Sequence, residues 1–234
     1  MITNIVIGSF ILLGVMWFLQ KEKKERQLRF LEHYKFSSAL LKRVQQEHNY
    51  LSDEDILKVA RAMKDYFIIC HMAKGKMVAM PSEIVDVLWH EFILFTREYE
   101  HFCKQGLGRF LHHVPTEAMK SKTQAQEGIK RAWRLACAKE GINPKHPTKL
   151  PLLFHIDKTL NIVDGFQYEL NCAKKPYDSQ NNSNSSCGGY CVTDIGCASG
   201  CAGECAMSES SSSDWFGGDG GGHSCSSCGG CGGS

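Results

Sequence analysis

The charged residues of this 234-residue chain are distributed so unevenly that they divide it into three parts. Residues 1–20 carry no charged side chain, residues 21–175 contain every lysine and arginine, and residues 176–234 contain eight of the twelve cysteines and most of the glycine. About 150 residues remain for a folded core, which is enough for one domain and too few for two. The net charge of +2 excludes a strongly basic nucleic-acid binder, so we expect no nucleic-acid partner.

The beginning of the chain is an apolar segment that predicts a membrane-spanning helix. Between residues 2 and 19, only Thr3, Asn4 and Ser9 have polar side chains. A helix over this segment extends roughly 27 Å, which is close to the hydrocarbon thickness of a bilayer. The segment lacks the positively charged start and the small-residue cleavage site of a signal peptide. We therefore expect residues 1–20 to be an uncleaved transmembrane anchor, with membrane lipid as the partner of residues 2–19.

Basic residues directly after the apolar segment predict its orientation. Trp17 occupies the position of an interfacial aromatic residue, and four basic residues follow it: Lys21, Lys23, Lys24 and Arg26. Because positively charged flanks remain on the cytoplasmic side, the sequence predicts a single-pass protein of the inner (cytoplasmic) membrane, with its N-terminus outside and its C-terminus in the cytoplasm. In that reducing compartment the cysteines are expected as free thiols or metal thiolates rather than disulfides.

The central part of the chain has the composition and periodicity of helices. Residues 21–51 are rich in strong helix formers and contain no proline or glycine, which predicts a juxtamembrane helix. Ser52 is a good N-cap, and apolar residues recur after it at helical spacing: Ile56, Ala60, Met63 and Phe67. We predict an all-α fold in which residues 52–175 form a mostly helical bundle domain. Within it, residues 150–168 fit either a short helix or a hairpin that turns at an Asp-Gly pair.

The stretch from Ser82 to Lys104 predicts one long helix with a polar pair in an apolar setting. Large apolar side chains form one face, and the opposite side carries four polar residues: Asp86, His90, Arg97 and His101. The first half is apolar nearly all round, which indicates burial, and a buried acid needs a partner. We therefore expect Asp86 and His90 to form a structural hydrogen bond, to act as an acid–base couple, or to be two ligands of a metal ion. Arg97 and His101 are expected in solvent.

Two histidines further along the chain supply a third ligand for such a site. They precede a proline and so favour extended backbone, in which His112 and His113 point to opposite sides and only one faces the core. Asp86, His90 and that histidine would suffice to bind a divalent metal such as zinc. The zinc-protease motif is not present, because Leu94 occupies the position of its second histidine. A buried structural polar network is the alternative.

The C-terminal part, residues 176–234, is predicted to be a disordered tail. Its Asn, Ser, Gly, Cys and Asp residues bury too little surface to offset the cost of ordering the backbone. Thiolates two to four residues apart are common in zinc and iron–sulfur sites, and the last such cluster is Cys225, Cys228 and Cys231. Glycine-rich repeats produce the same spacing without a site, so a specific metal site, adventitious metal binding and plain disorder are all open.

The longest ordered string of unlike residues carries a resemblance to a protein family. It reads VDVLWHEFILFTREYEHFC and then GRFLHHVP, and it is followed by LPLLFHID, IVDGFQY and a Gly/Cys-rich tail. These motifs resemble the uncharacterised bacterial glycine-rich-domain membrane proteins, over residues 80–170. The resemblance implies a central helical domain, often one membrane span, and no established activity. Its characteristic polar positions correspond here to Asp86, His90, Tyr99, Cys103, His112 and His113.

Three hypotheses of function follow from these features. The sequence contains no phosphate-binding glycine loop, nucleophile elbow or zinc-protease pair, so the first is a non-catalytic, membrane-anchored cytoplasmic module that binds or scaffolds a partner. The second is a metal-binding protein or metal-dependent enzyme that uses Asp86, His90, His112 or His113. The third is a thiol-based metal or redox sensor that works through the tail cysteines.

Overall fold

Helices account for most of the chain that the structure, a computed structural model, describes. The described residues are 2–114, 122–170, 190–192 and 195, without the side chains of residues 2, 3, 5, 6, 122, 123, 190 and 191. They all belong to one unit, Met1–Cys201, and the second unit, Ala202–Ser234, lies outside them. The helices are α1 (Ile2–His33), α2 (Ser38–Glu47), α3 (Asp53–Met72), α4 (Glu83–Leu94), α5 (Thr96–Phe102), a π-helical turn (Cys103–Leu107), α6 (Lys122–Glu140) and α7 (Leu152–Thr159).

The prediction of a mostly helical fold is confirmed, and the open choice over residues 150–168 is resolved in favour of a helix. α7 ends at Thr159, and the chain then turns through Asn161 and Asp164, which have φ angles of 49° and 60°. Two short strands follow, β1 (Tyr168–Glu169) and β2 (Tyr190–Cys191), and they pair in parallel. The partner of β1 is therefore a distant segment and not the other half of a local hairpin.

The N-terminal helix α1 crosses the predicted boundary at residue 20 without a break and ends at His33. The hydroxyl of Ser37 then caps the start of α2 by accepting a hydrogen bond from the Leu40 N–H at 3.3 Å. In the described part of the chain, which omits several side chains before Ile7, no helix has both the length and the apolar character needed to cross a membrane. The transmembrane helix predicted over residues 2–19 is thus not supported by the fold.

Helix α3 is the central element of the domain, because it packs against α1, α2, α4, α6 and α7. It begins with a reciprocal capping box, in which the Ser52 hydroxyl accepts from the Asp55 N–H and the Asp55 carboxylate accepts from the Ser52 N–H. The predicted apolar stripe of this helix is buried throughout: Ile56, Ala60, Met63 and Phe67. Burying a large apolar side chain stabilises a fold by about 1.5–3 kcal/mol, so this stripe anchors the core.

The position of α4 is fixed by a buried carboxylate on α7. Asp157 accepts a hydrogen bond from the hydroxyl of Ser82, the N-cap of α4, at 2.6 Å and from the Glu83 N–H at 2.7 Å. It also accepts from the backbone N–H of Ile84 and of Phe166. Burial raises the pKa of Asp157, and these hydrogen bonds oppose that shift. A negative charge at a helix N-terminus is favourable, so the carboxylate both ties α4 to α7 and completes its cap.

The structure corrects the prediction of one continuous helix from Ser82 to Lys104. The chain leaves the α-helix at Phe95, where ψ is 58°, and restarts as α5. In a straight helix, Phe92 and Phe102 would be roughly 15 Å apart along the axis. Their ring centroids lie only 5.2 Å apart because the break folds α5 back over the core. Packing of both aromatic rings into one cluster therefore outweighs the continuity of the helix.

We predict that Asp157→Ala destabilises the domain by about 3 kcal/mol, because each buried donor left without an acceptor costs about 1–3 kcal/mol. Chemical denaturation of the full-length protein measures this change. Glu169→Ala is the matched control: its carboxylate forms an exposed ion pair with Lys158 at 2.7 Å, so its loss should change the stability by less than about 1 kcal/mol. Equal effects of the two substitutions would contradict the proposed anchoring of α4.

Candidate metal centre

Asp86 and His90 lie one turn apart on α4, as their spacing requires. The apolar residues of this helix, among them Ile84 and Leu88, point into the core and leave the edge with Asp86 and His90 towards solvent. The His90 Nδ1 atom lies 3.5 Å from Asp86 Oδ2, and the two side chains are 53% and 22% exposed respectively. The pair is therefore accessible from outside, although the rest of this part of α4 is largely buried.

His113 reaches the same place from a separate segment. After the π-helical turn, Gly108 adopts a left-handed conformation with φ at 69°, and residues 110–114 then run without helix or strand structure. The His113 Nε2 atom lies 3.1 Å from Asp86 Oδ1. The His113 ring packs between its neighbours on α4, with ring centroids 4.2 Å from His90 and 4.6 Å from Trp89. Only 15% of the His113 side chain is exposed.

These three side chains form a group with the dimensions of a metal site. One ligand atom from each of Asp86, His90 and His113 can be chosen so that all three atoms lie within 4.8 Å of one another. Bond lengths of about 2.0–2.1 Å place neighbouring ligands of a tetrahedral zinc ion roughly 3.3 Å apart. The His113 nitrogen lies 3.1 Å from Asp86 Oδ1 and the His90 nitrogen 3.5 Å from Asp86 Oδ2, so each imidazole is about that far from one oxygen of the carboxylate. Closing the three-atom set from its limit of 4.8 Å to this separation would place all three ligand atoms around one divalent ion.

The structure leaves the other sequence-predicted polar residues outside this group. His112 is exposed, and its ring contacts Phe110 with a centroid distance of 4.8 Å. His112 and His113 thus point in different directions, as expected for neighbours in an extended segment. Arg97 and His101 are exposed on α5, beyond the break at Phe95. Of the two candidate histidines near the proline, the structure therefore brings His113 to Asp86 and His90.

The cysteines predicted as metal ligands lie far along the chain from the three free cysteines of the helical domain. The candidate ligands Cys225, Cys228 and Cys231 lie outside the described residues, as does all of the tail predicted to be disordered except residues 190–192 and 195. At those residues the prediction of disorder is wrong, because β2 pairs with β1 and Val192 is completely buried. Among the described residues, three cysteines are free and buried: Cys70, Cys103 and Cys137. Burial raises the pKa of Cys70 and of Cys137 to about 12, so both thiols stay protonated at neutral pH. Protonated thiols are poor metal ligands and poor nucleophiles.

Sequence reasoning treated Trp89 as an apolar residue and missed its polar contact. Its indole N–H donates a hydrogen bond to the Tyr99 hydroxyl at 3.1 Å, and its ring forms one wall of the His113 site. Burial raises the pKa of Tyr99, which keeps the hydroxyl neutral and able to donate in turn. The only signal in the sequence was the position of Trp89 directly before His90, and that position says nothing about a partner on α5.

Comparison with known proteins identifies a family without assigning an activity. A search of curated proteins and a search of solved structures each found no match. A family model described as UCP032817-like matches residues 26–195, which include α2 to α7 and all three residues of the candidate metal centre. This match does not show the glycine-rich or membrane character expected from the resemblance. The chain belongs to the uncharacterised UCP032817-like family.

Proposed function

We propose that this domain binds one divalent transition-metal ion through Asp86, His90 and His113. The observation that carries the proposal is the convergence of two imidazoles and one carboxylate from α4 and a separate segment, with all three ligand atoms within 4.8 Å of one another. Imidazole and carboxylate ligands suit zinc and its first-row neighbours, and three protein ligands are typical of catalytic zinc sites. We take zinc as the ion to test first.

The exposure of the group favours metal binding over the alternative of a structural polar network. In that alternative, the Asp86 carboxylate accepts one hydrogen bond from each histidine, and the gain in stability comes from satisfying buried groups. Yet half of the His90 side chain is exposed, and an exposed ion pair contributes little to stability. A metal ion supplies a reason for His90 to face Asp86 at the surface. It would also counter the carboxylate charge, leaving a net charge of +1 at the site.

We predict that the full-length protein, purified in mild detergent without an affinity histidine tag, binds one zinc ion per chain. His90→Gln and His113→Gln should each weaken binding by more than about 100-fold, since even an outer-shell partner of a metal contributes about 10–100-fold. Competition with a chromophoric chelator measures the affinity. His112→Gln and His101→Gln, which replace exposed histidines close in the sequence, should leave the affinity unchanged. Loss of zinc binding in His112→Gln as large as in His113→Gln would contradict the assignment.

We also predict that zinc removal lowers the melting temperature of the wild-type protein. A ligand at 100 times its dissociation constant stabilises the folded state by about 2.7 kcal/mol. Thermal unfolding with zinc and with a chelator measures the difference. The same comparison on His90→Gln should show a much smaller shift, because a site weakened 100-fold is at most half occupied at that zinc concentration and gains only about 0.4 kcal/mol. A wild-type melting temperature that does not respond to zinc would favour the structural network.

A separate observation favours membrane attachment of the first helix as a second function, and we propose that residues 7–19 insert into lipid. Four consecutive residues, Phe10 to Leu13, each expose most of their side chain, although consecutive positions of a helix point in different directions. A protein partner covers one stripe of a helix, whereas lipid covers all sides. The Lys21 ammonium lies 5.7 Å from the Trp17 ring centroid. An aromatic residue next to basic residues is typical of the end of a membrane helix, where the basic side chains contact anionic headgroups.

We predict that the protein stays in the membrane fraction after a carbonate wash and that the double substitution Leu12→Asp, Leu13→Asp releases it. An aspartate at the centre of a membrane helix costs about 2.5–3.5 kcal/mol on the insertion scale. Leu57→Asp is the control, because Leu57 is an exposed leucine on α3. Retention of the double variant in the washed membrane would contradict lipid insertion. Digestion of the domain by protease added outside intact cells would contradict the cytoplasmic orientation that the basic flank favours.

A further inference from the structure

We infer that Tyr99 and Cys103 are positioning residues for His113, which they place by holding the backbone of Leu111 two residues earlier. The inference rests on the proposed metal binding and adds residues that touch neither the metal nor its ligands. Leu111 and His113 belong to the irregular segment 110–114, which no helix or strand holds in place. The position of His113 against Asp86 therefore depends on whatever fixes this segment to the core.

Two buried side chains one helical turn apart, Tyr99 and Cys103, lie against the backbone of Leu111. The Tyr99 hydroxyl donates a hydrogen bond to the Leu111 carbonyl oxygen at 2.5 Å. Burial raises the pKa of the Cys103 thiol, and hydrogen bonding with the Leu111 backbone and with Tyr99 opposes that shift, so the sulfur lies beside the same backbone. Tyr99 and Cys103 are both almost completely buried. Together they form a clamp, by which we mean these two side chains and the Leu111 backbone between them.

The short distance from the clamp to His113 lets it set the position of the imidazole. Residues i and i+2 of an extended segment lie on the same side, separated by roughly 6.6 Å. Leu111 and His113 are two residues apart in the chain, so few torsions intervene between the clamped backbone and the ligand. Trp89 connects the two sites from the other direction, because its N–H donates to Tyr99 while its ring packs against His113.

The clamp is itself held by the packing of the π-helical turn against α1. At Gly106 a Cβ atom would lie 2.4 Å from Leu31 Cδ2, so the turn approaches α1 as closely as a glycine allows. Leu31 is completely buried, and Phe30 contacts Phe102 with a ring-centroid distance of 5.9 Å. The turn begins at Cys103, so its fixed position also fixes the thiol. His113 therefore follows a closely packed part of the core, and it faces the two ligands that α4 carries.

The chain contains a matched control for this clamp on α3. Tyr66 and Cys70 form a second Tyr–Cys pair at i and i+4, and both side chains are buried. The Tyr66 hydroxyl donates to the Val78 carbonyl oxygen at 3.1 Å, and its ring contacts Trp89 at 5.1 Å. This pair resembles the clamp in chemistry, burial and proximity to Trp89. It holds Val78 instead of the segment that carries His113, so it separates effects on folding from effects on the site.

The test compares the full-length variants Tyr99→Phe and Tyr66→Phe in two measurements. Zinc affinity is measured by chelator competition, and stability is measured by chemical denaturation. We expect Tyr99→Phe to weaken zinc binding roughly tenfold, as is typical of outer-shell substitutions. Tyr66→Phe should change the affinity by no more than about twofold, even where it lowers stability equally. In a His113→Gln background, Tyr99→Phe should cause no further loss, whereas in a His90→Gln background its effect should persist. That difference is not expected of a residue that only stabilises the fold.

Cys103 variants provide a second measurement that does not depend on the folding of Tyr99→Phe. Cys103→Ala should weaken zinc binding, Cys103→Ser should restore much of the affinity because its oxygen can bond the Leu111 backbone, and Cys70→Ala should have little effect. Equal zinc affinities for the Tyr99 and Tyr66 variants, or for Cys103→Ala and Cys70→Ala, would overturn the positioning inference while metal binding stands. A wild-type protein that binds no zinc would instead overturn the proposed function.

Discussion

The Asp157 carboxylate is the contact on which the geometry of this domain depends most. It caps α4 through Ser82 and Glu83 and ties the helix to α7, at a distance of about one helical turn from Asp86. The first N–H groups of a helix need acceptors, and burial makes a missing acceptor costly. Gly165 belongs to the same arrangement, since a Cβ atom there would lie 2.8 Å from the Asp157 Cβ. The position of α4 therefore depends on two later motifs, LPLLFHID and IVDGFQY, as much as on the sequence of α4 itself.

Much of this arrangement could be predicted from local patterns in the sequence. The cap at Ser52, the buried stripe of α3 and the proximity of Asp86 to His90 follow from helical spacing, which acts over a few residues. The opposite directions of His112 and His113 follow from extended backbone before a proline. Which of the two faces Asp86 could not be predicted, because that choice depends on how the segment after Gly108 returns over α4.

Contacts between distant segments account for what the sequence did not reveal. The break at Phe95 lies inside a pattern that is apolar at helical spacing on both sides, and only the packing of Phe102 against Phe92 explains it. Burial of Asp157 was equally hidden, because its partners on α4 and at the cap of that helix lie more than 70 residues away along the chain. The clamp on Leu111 joins α5 to a segment without regular structure. Periodicity describes one element at a time, so none of these contacts has a local signature.

The family match begins close to a physical boundary in α1. The match begins at residue 26, and the first completely buried side chain of this helix among the described residues is Leu31. Before it lies the exposed apolar segment, and after it lie the contacts with Gly106 and Phe102 that support the clamp. The metal site depends on the contacts that α1 forms with Gly106 and Phe102, and on no contact of residues 7–19. Lipid insertion and metal binding are therefore independent proposals, and either can hold if the other fails.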